Sequence, residues 1–249
     1  MKPKIGLKTT NIFYKGKDKI DFDVLEIRSD DPDLGFNIKK VLKVKKFLEG
    51  KEISMHSQTS RIFSCKNKEN NTPEFNEAEL NVVKAEIILC KILEIKELIF
   101  HLKQEKLNKS EEKRLRELLK FAKNKGIEMI YESNGKFIAK TTLDVLKKFP
   151  RLNYNLDLGH LNTAIGNKTL GMNWKEFIEK IKDRTVYIHA HSNNGREDEH
   201  VSLDKGTLPW RKILDMLDLN KIRKIIIETK REHIKETKEL LENYLDRER

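Results

Sequence analysis

Short apolar runs recur eight times along the chain, and most are separated by stretches whose apolar positions repeat every three or four residues. The runs predict strands over Lys4–Thr10, Asp23–Ser29, Glu52–Ser57, Leu98–Lys103, Ile127–Ser133, Leu152–Leu158, Thr185–Ser192 and Lys224–Thr229. Most are rich in Ile, Val, Leu and Tyr, as buried parallel strands are. Between them, Leu80, Val83, Ile87 and Cys90 mark one helical stripe, opened at Thr72-Pro73-Glu74, because proline suits a first helical turn. Leu115, Leu118, Leu119 and Ala122 mark another, with Ser110 as the expected cap and Gly126 as the stop. Trp174, Phe177, Ile178 and Ile181 repeat the pattern, as do Trp210, Ile213, Leu214 and Leu217, and a last helix is expected from about His233 to Leu245. Strands alternating with helices predict an α/β fold: a single (β/α)8 TIM barrel, with residues 1–249 as one domain. The competing open, doubly wound sheet would carry a GxGxxG turn or a GxxxxGK[ST] loop, and neither occurs.

Charge alters this picture less than it first suggests. Lys and Arg outnumber Asp and Glu by 51 to 40, a formal net charge of +11. That excess suits an anionic partner such as nucleic acid or a phosphorylated metabolite, but a densely charged surface serves equally well in a heat-adapted protein. Lys15, Lys17 and Lys19 form a basic loop, for which solvated lysines are the default reading. The two cysteines, Cys65 and Cys90, lack CxxC spacing and read as thiols of a reducing compartment. No apolar run reaches the roughly 20 residues of a membrane span, so the expectation is a soluble, cytoplasmic protein with no membrane association and no protein partner.

The chemistry lies at the strand ends. EISMHS, LIFHLK, EMIYES, NLDLGH, YIHAHS and IIIET carry His56, His101, Glu132, Asp157 with His160, His189 with His191, and Glu228; Asp198 and His200 follow soon after. Active sites of (β/α)8 barrels lie at the C-terminal ends of the strands, where these groups fall. Imidazole and carboxylate are the ligands of zinc, manganese and iron. His189 and His191 are two apart and face the same way. Packing so many such groups together without a cation would cost several kcal/mol for each unpaired ion, so a metal site at the strand ends is the expectation. Glu26 reads as an internal ion pair with Arg28 or as a substrate contact, and Asn134 as a turn residue or a group that orients substrate. No nucleophile elbow supports covalent catalysis.

The chain resembles the endonuclease IV and xylose isomerase-like group of metal-dependent TIM barrels (AP endonuclease family 2). NLDLGH is similar to that group's D-x-x-H, DEHVSLDKG resembles the D-x-H-x-S-L-G-E-G segment of endonuclease IV, and His191-Ser-Asn-Asn resembles H-x-N-D. The endonuclease pattern implies three zinc ions. His56 and His101 would hold one, with Glu132 bridging to a second completed by Asp157, His191 and Glu228; His160, Asp198 and His200 would hold the third. His189 would then orient ligands or touch substrate. The implied activity is a DNA-repair hydrolase that cuts the phosphodiester 5′ to abasic sites, with the damaged nucleotide leaving the stack. Departures exist: LKTTNIFYKG lacks the His and paired glycines of the nuclease pattern, and SLDKG replaces SLGEG. The same resemblance implies an alternative, a sugar or sugar-phosphate isomerase or epimerase with one metal such as Mn²⁺ on Glu132, Asp157, His191 and Glu228. There Glu132 and Glu228 would be the catalytic proton carriers, with His160 and Glu26 holding the sugar.

Overall fold

The computed structural model describes residues 2–9, 22–32, 34, 38–57, 73–102, 107–133 and 138–247. Eight strands join in sequence order into a closed parallel barrel: β1 (Lys4–Thr9), β2 (Val24–Arg28), β3 (Glu52–His56), β4 (Glu97–His101), β5 (Glu128–Glu132), β6 (Asn153–Asp157), β7 (Thr185–Ala190) and β8 (Lys224–Ile227). The helices are α1 (Ile38–Phe47), α2 (Pro73–Ile92), α3 (Lys109–Asn124), α4 (Ile138–Lys148), α5 (Leu158–Gly166), α6 (Trp174–Ile181), α7 (Trp210–Leu214) and α8 (Ile234–Arg247). The expected (β/α)8 barrel is therefore the fold. Asn134, Cys65, Lys15, Lys17 and Lys19 lie outside the described residues.

Close contacts divide the chain into two units. One holds β1 up to Lys8, the first residue of β2, Glu132 at the end of β5, and everything beyond it; the other holds Thr9 and the chain from Leu25 to Tyr131. In the first unit β8 pairs with both β1 and β7, and β7 also pairs with β6. Its core is built from Tyr154, Leu156, Tyr187, Ile188, Ile225, Ile226 and Ile227 against Phe177, Ile178, Ile181, Trp210 and Leu241, all buried. In the second unit β3 pairs with β4, and Met55, Leu98, Ile99 and Phe100 are buried together with the α2 stripe of Val83, Ile87 and Cys90. Burial drives the Cys90 thiol well above its usual pKa, with the negative charge of Glu86 adding to the shift, so it behaves as an inert apolar group.

Three local expectations are corrected. α3 is capped by Asn108, not Ser110: Asn108 Oδ1 accepts the Glu111 N–H at 3.0 Å and Glu111 Oε2 accepts the Asn108 N–H at 2.7 Å. This reciprocal pair satisfies two orphan donors, which one hydroxyl could not, and it draws Ser110 into the helix. Trp174 is only half-buried, because as the first residue of α6 it lies at the edge of the stripe, with the Lys175 ammonium over its ring. The chain also enters α5 directly from β6, a helix hidden in sequence behind the strand-like NLDLGH run. Gly126 ends α3 as expected, at φ +76°, a conformation that costs glycine little. Among the described residues no helix is long and apolar enough to cross a membrane.

Candidate metal centre

Asp157 is the last residue of β6 and at once the N-cap of α5, its carboxylate accepting the His160 N–H at 2.6 Å. A carboxylate there meets unpaired N–H groups and the positive end of the helix dipole. The same turn brings His160 Nδ1 to 3.7 Å from Asp157 Oδ2 and 3.6 Å from Glu132 Oε1. His160 therefore works from the first turn of a helix rather than from a strand tip.

Strand register settles the neighbours. β6 and β7 pair Asp157 with His189, so His189 stands level with that carboxylate and His191 lies just past the end of β7. Both rings are fully buried. His189 Nδ1 lies 3.1 Å from Glu132 Oε2, 3.6 Å from Asp157 Oδ2 and 3.0 Å from Glu228 Oε2, at the focus of three carboxylates. His191 Nε2 lies 3.1 Å from Asp157 Oδ1, and its ring rests on the backbone of Gly159, where an added Cβ would fall 1.9 Å from the ring. Two of the carboxylates are held from outside the cluster. Asn155 Nδ2 donates to Glu132 Oε2 at 2.7 Å, and Lys8 Nζ pairs with Glu228 Oε1 at 2.8 Å. Sequence reading missed both; the one available signal was the inward parity of polar residues on β1 and β6.

Asp198 and His200 arrive on the loop after β7. Asn193 anchors that loop: its Nδ2 donates to Gly159 O and Thr163 Oγ1, both at 2.9 Å, while Asn162 Nδ2 donates to Asn193 O at 2.7 Å. His200 takes a left-handed φ of 54° and stacks on His191 with centroids 4.1 Å apart. Its Nδ1 donates to the Glu228 carbonyl at 2.6 Å, and its Nε2 stands 3.2 Å from Asp198 Oδ2. A carbonyl can only accept, so in neutral His200 the free lone pair is on Nε2, facing Asp198. In the second unit His56 and His101 are buried side by side with ring centroids 5.0 Å apart. Glu26 is fully buried near Ser54, and Arg28 turns to fork onto Asp30.

The residues fit a divalent cation. Asp157, His191 and Glu228 can each offer a ligand atom within 4.8 Å of the others, as can Glu132, Asp157 and His160, and also His191, Asp198 and His200. His191 Nδ1 is buried without a hydrogen bond, which is costly unless something else satisfies it. Oxygen donors with one or two imidazoles suit Mn²⁺, Zn²⁺ or Fe²⁺.

Without metal the cluster balances its own charge. Burial opposes ionisation of Asp157 and Glu228, but the fields of His160 and His191 on the first, and of Lys8 and His189 on the second, hold both well below the usual carboxylate range. Burial likewise opposes charging of His160 and His200, yet Asp157 and Asp198 raise the first to about 10, and Asp198 and Glu228 raise the second to about 9. The raised imidazoles contribute stability that is complete below their ordinary value of 6.5 and is lost as pH climbs through about 9 to 10. The depressed carboxylates contribute stability that is complete above their ordinary values and is lost in acid. Chelator-treated protein is thus expected to melt at its highest temperature between about pH 4.5 and 6.5 and progressively lower up to pH 10, as scanning calorimetry would show; a flat alkaline limb would contradict the His160 and His200 pairings.

The family description "Xylose isomerase-like TIM barrel" matches residues 18–246. The chain belongs to that family. Among curated relatives, Uncharacterized protein MJ1311 of Methanocaldococcus jannaschii is 31% identical over 146 residues, 53% of this chain and 47% of the relative, so this chain covers less than half of that protein. Among solved structures, a D-tagatose 3-epimerase-like protein superposes with TM-score 0.75 at 22% identity, covering 99% of this chain and 97% of the other. An IOLI protein with a bound zinc atom gives TM-score 0.66 at 17% identity, covering 99% and 96%. At these identities the two structures establish the shared xylose isomerase-like fold and nothing finer. The abasic-site nuclease expected from sequence has no counterpart in their names.

Proposed function

We propose that this member of the xylose isomerase-like family is a divalent-metal-dependent isomerase or epimerase of a small sugar or sugar phosphate. The observation that carries the reading is the convergence of Glu132, Asp157 and Glu228 on the buried His189, with His191 against Asp157, at the strand ends of one unit. The D-tagatose 3-epimerase-like relative supports the substrate class, and the zinc-bound relative supports the metal. A cation held by these carboxylates and an imidazole beside them would supply Lewis-acid polarisation of the sugar carbonyl and its neighbouring hydroxyl.

The remaining chemistry belongs to the chain. One of Glu132 and Glu228 takes the proton from the carbon beside the carbonyl, and the other returns a proton to the opposite face, which inverts that carbon. Asn155 and Lys8 hold the two carboxylates so that Glu132 Oε2 and Glu228 Oε2 both face the His189 side of the cluster. His160, half-buried where His189 and His191 are fully buried, donates to a substrate hydroxyl. Incubating metal-loaded protein in D₂O with a panel of ketohexoses and their phosphates is expected to give C–H deuterium exchange that EDTA abolishes. Exchange with none of them, together with nicking of an abasic duplex, would overturn the proposal.

The second reading, a multi-zinc phosphodiesterase of the endonuclease IV type acting on abasic DNA, is favoured by one observation: the additional group of His191, Asp198 and His200. His200→Ala separates the two. The isomerase is expected to retain activity within about threefold, whereas a phosphodiesterase that stabilises its leaving oxygen through that group would lose on the order of 10²-fold.

A further inference from the structure

We propose that Lys8 is a positioning residue that acts as a built-in cation of the metal cage, confining Glu228 to a single ligand oxygen and limiting how tightly the cage holds a divalent ion. The inference rests on the proposed role of Glu228 as a metal ligand. Lys8 stands near the C-terminal end of β1, in the LKTT segment where the chain departs from the nuclease pattern. Its side chain is only 10% exposed, and its ammonium lies 2.8 Å from Glu228 Oε1. The other oxygen, Glu228 Oε2, faces the cluster 3.0 Å from His189 Nδ1. One carboxylate thus divides its two oxygens between a fixed ammonium and the cage, so a single oxygen, Oε2, faces ion and substrate alike.

Charge gives the arrangement a purpose. Glu132, Asp157 and Glu228 bring three negative charges to the cage, and the Lys8 ammonium stands directly on one of them. An ammonium buried on a ligand carboxylate repels an ion bound to that same carboxylate, since charges a few ångströms apart interact strongly away from bulk water. A cage of this kind binds its ion reversibly and leaves the polarising charge of that ion for substrate.

Calorimetric titration of metal-stripped protein with Mn²⁺ and with Zn²⁺ tests the idea, using the wild type, Lys8→Met and Lys8→Arg. Near one equivalent is expected to bind to each protein. Lys8→Met should bind at least tenfold more tightly, and Lys8→Arg, which keeps the charge, should stay close to wild type. A purely structural lysine would predict the reverse, since a loosened Glu228 weakens the cage, so unchanged or weaker binding by Lys8→Met overturns the proposal. A wild type that binds neither ion removes the metal reading itself, a result distinct from the failure of Lys8 alone.

Discussion

Gly159→Ala is expected to abolish most activity although it adds a single methyl group. The new Cβ would lie 1.9 Å from His191 Cε1 and 2.3 Å from its Nδ1. That ring is fully buried and has His200 stacked on its face, so it must move bodily or force α5 away from β7. Misplacing a reacting group or its ligand by about 1 Å costs on the order of 10² in rate, and overpacking of this kind costs about 1–3 kcal/mol of stability. In an open helix the same change would stabilise by about 1 kcal/mol, so a lowered melting temperature reports the clash with the ring. Kinetics and metal content measured on the variant check both effects. Wild-type metal affinity in Gly159→Ala would show that His191 is not held where the structure places it.

Asp157→Asn should be as damaging to function and much gentler to the fold. Asparagine caps a helix as well as aspartate does, so α5 keeps its first-turn hydrogen bond to the His160 N–H. What disappears is the negative charge, which lies within 3.7 Å of His160, His189 and His191. Because the folded state favours the ionised form of Asp157, stability at neutral pH falls modestly. Activity is expected to drop by about 10³-fold or more, beyond the roughly 10–100-fold typical of residues that only orient a ligand. Metal titration beside a melting curve separates the two effects, and unaltered metal affinity would remove Asp157 from the cage.

Much of the barrel could be read from local patterning. Strand cores such as Ile225-Ile226-Ile227 are continuous apolar runs buried on both faces, and stripes such as Val83, Ile87 and Cys90 follow a period of 3.6; neighbouring residues encode both by themselves. Strand ends were less legible. β7 ends at Ala190 and β8 at Ile227, so His191 and Glu228 stand just beyond the ladder rather than within it. That Glu132, Asp157, His189 and Glu228 approach one another was legible because each falls at or next to the C-terminal end of its strand, where a (β/α)8 barrel gathers function.

Chain order and parity therefore specified the barrel and the list of ligand-type side chains, because both depend on contacts a few residues apart. Which of those side chains touch was decided only in three dimensions. The β6–β7 register made His189, expected to stand behind the ligands, the neighbour of three carboxylates. Lys8 reached Glu228 across 220 positions of sequence because β1 and β8 hydrogen-bond side by side, a pairing that no local periodicity can record.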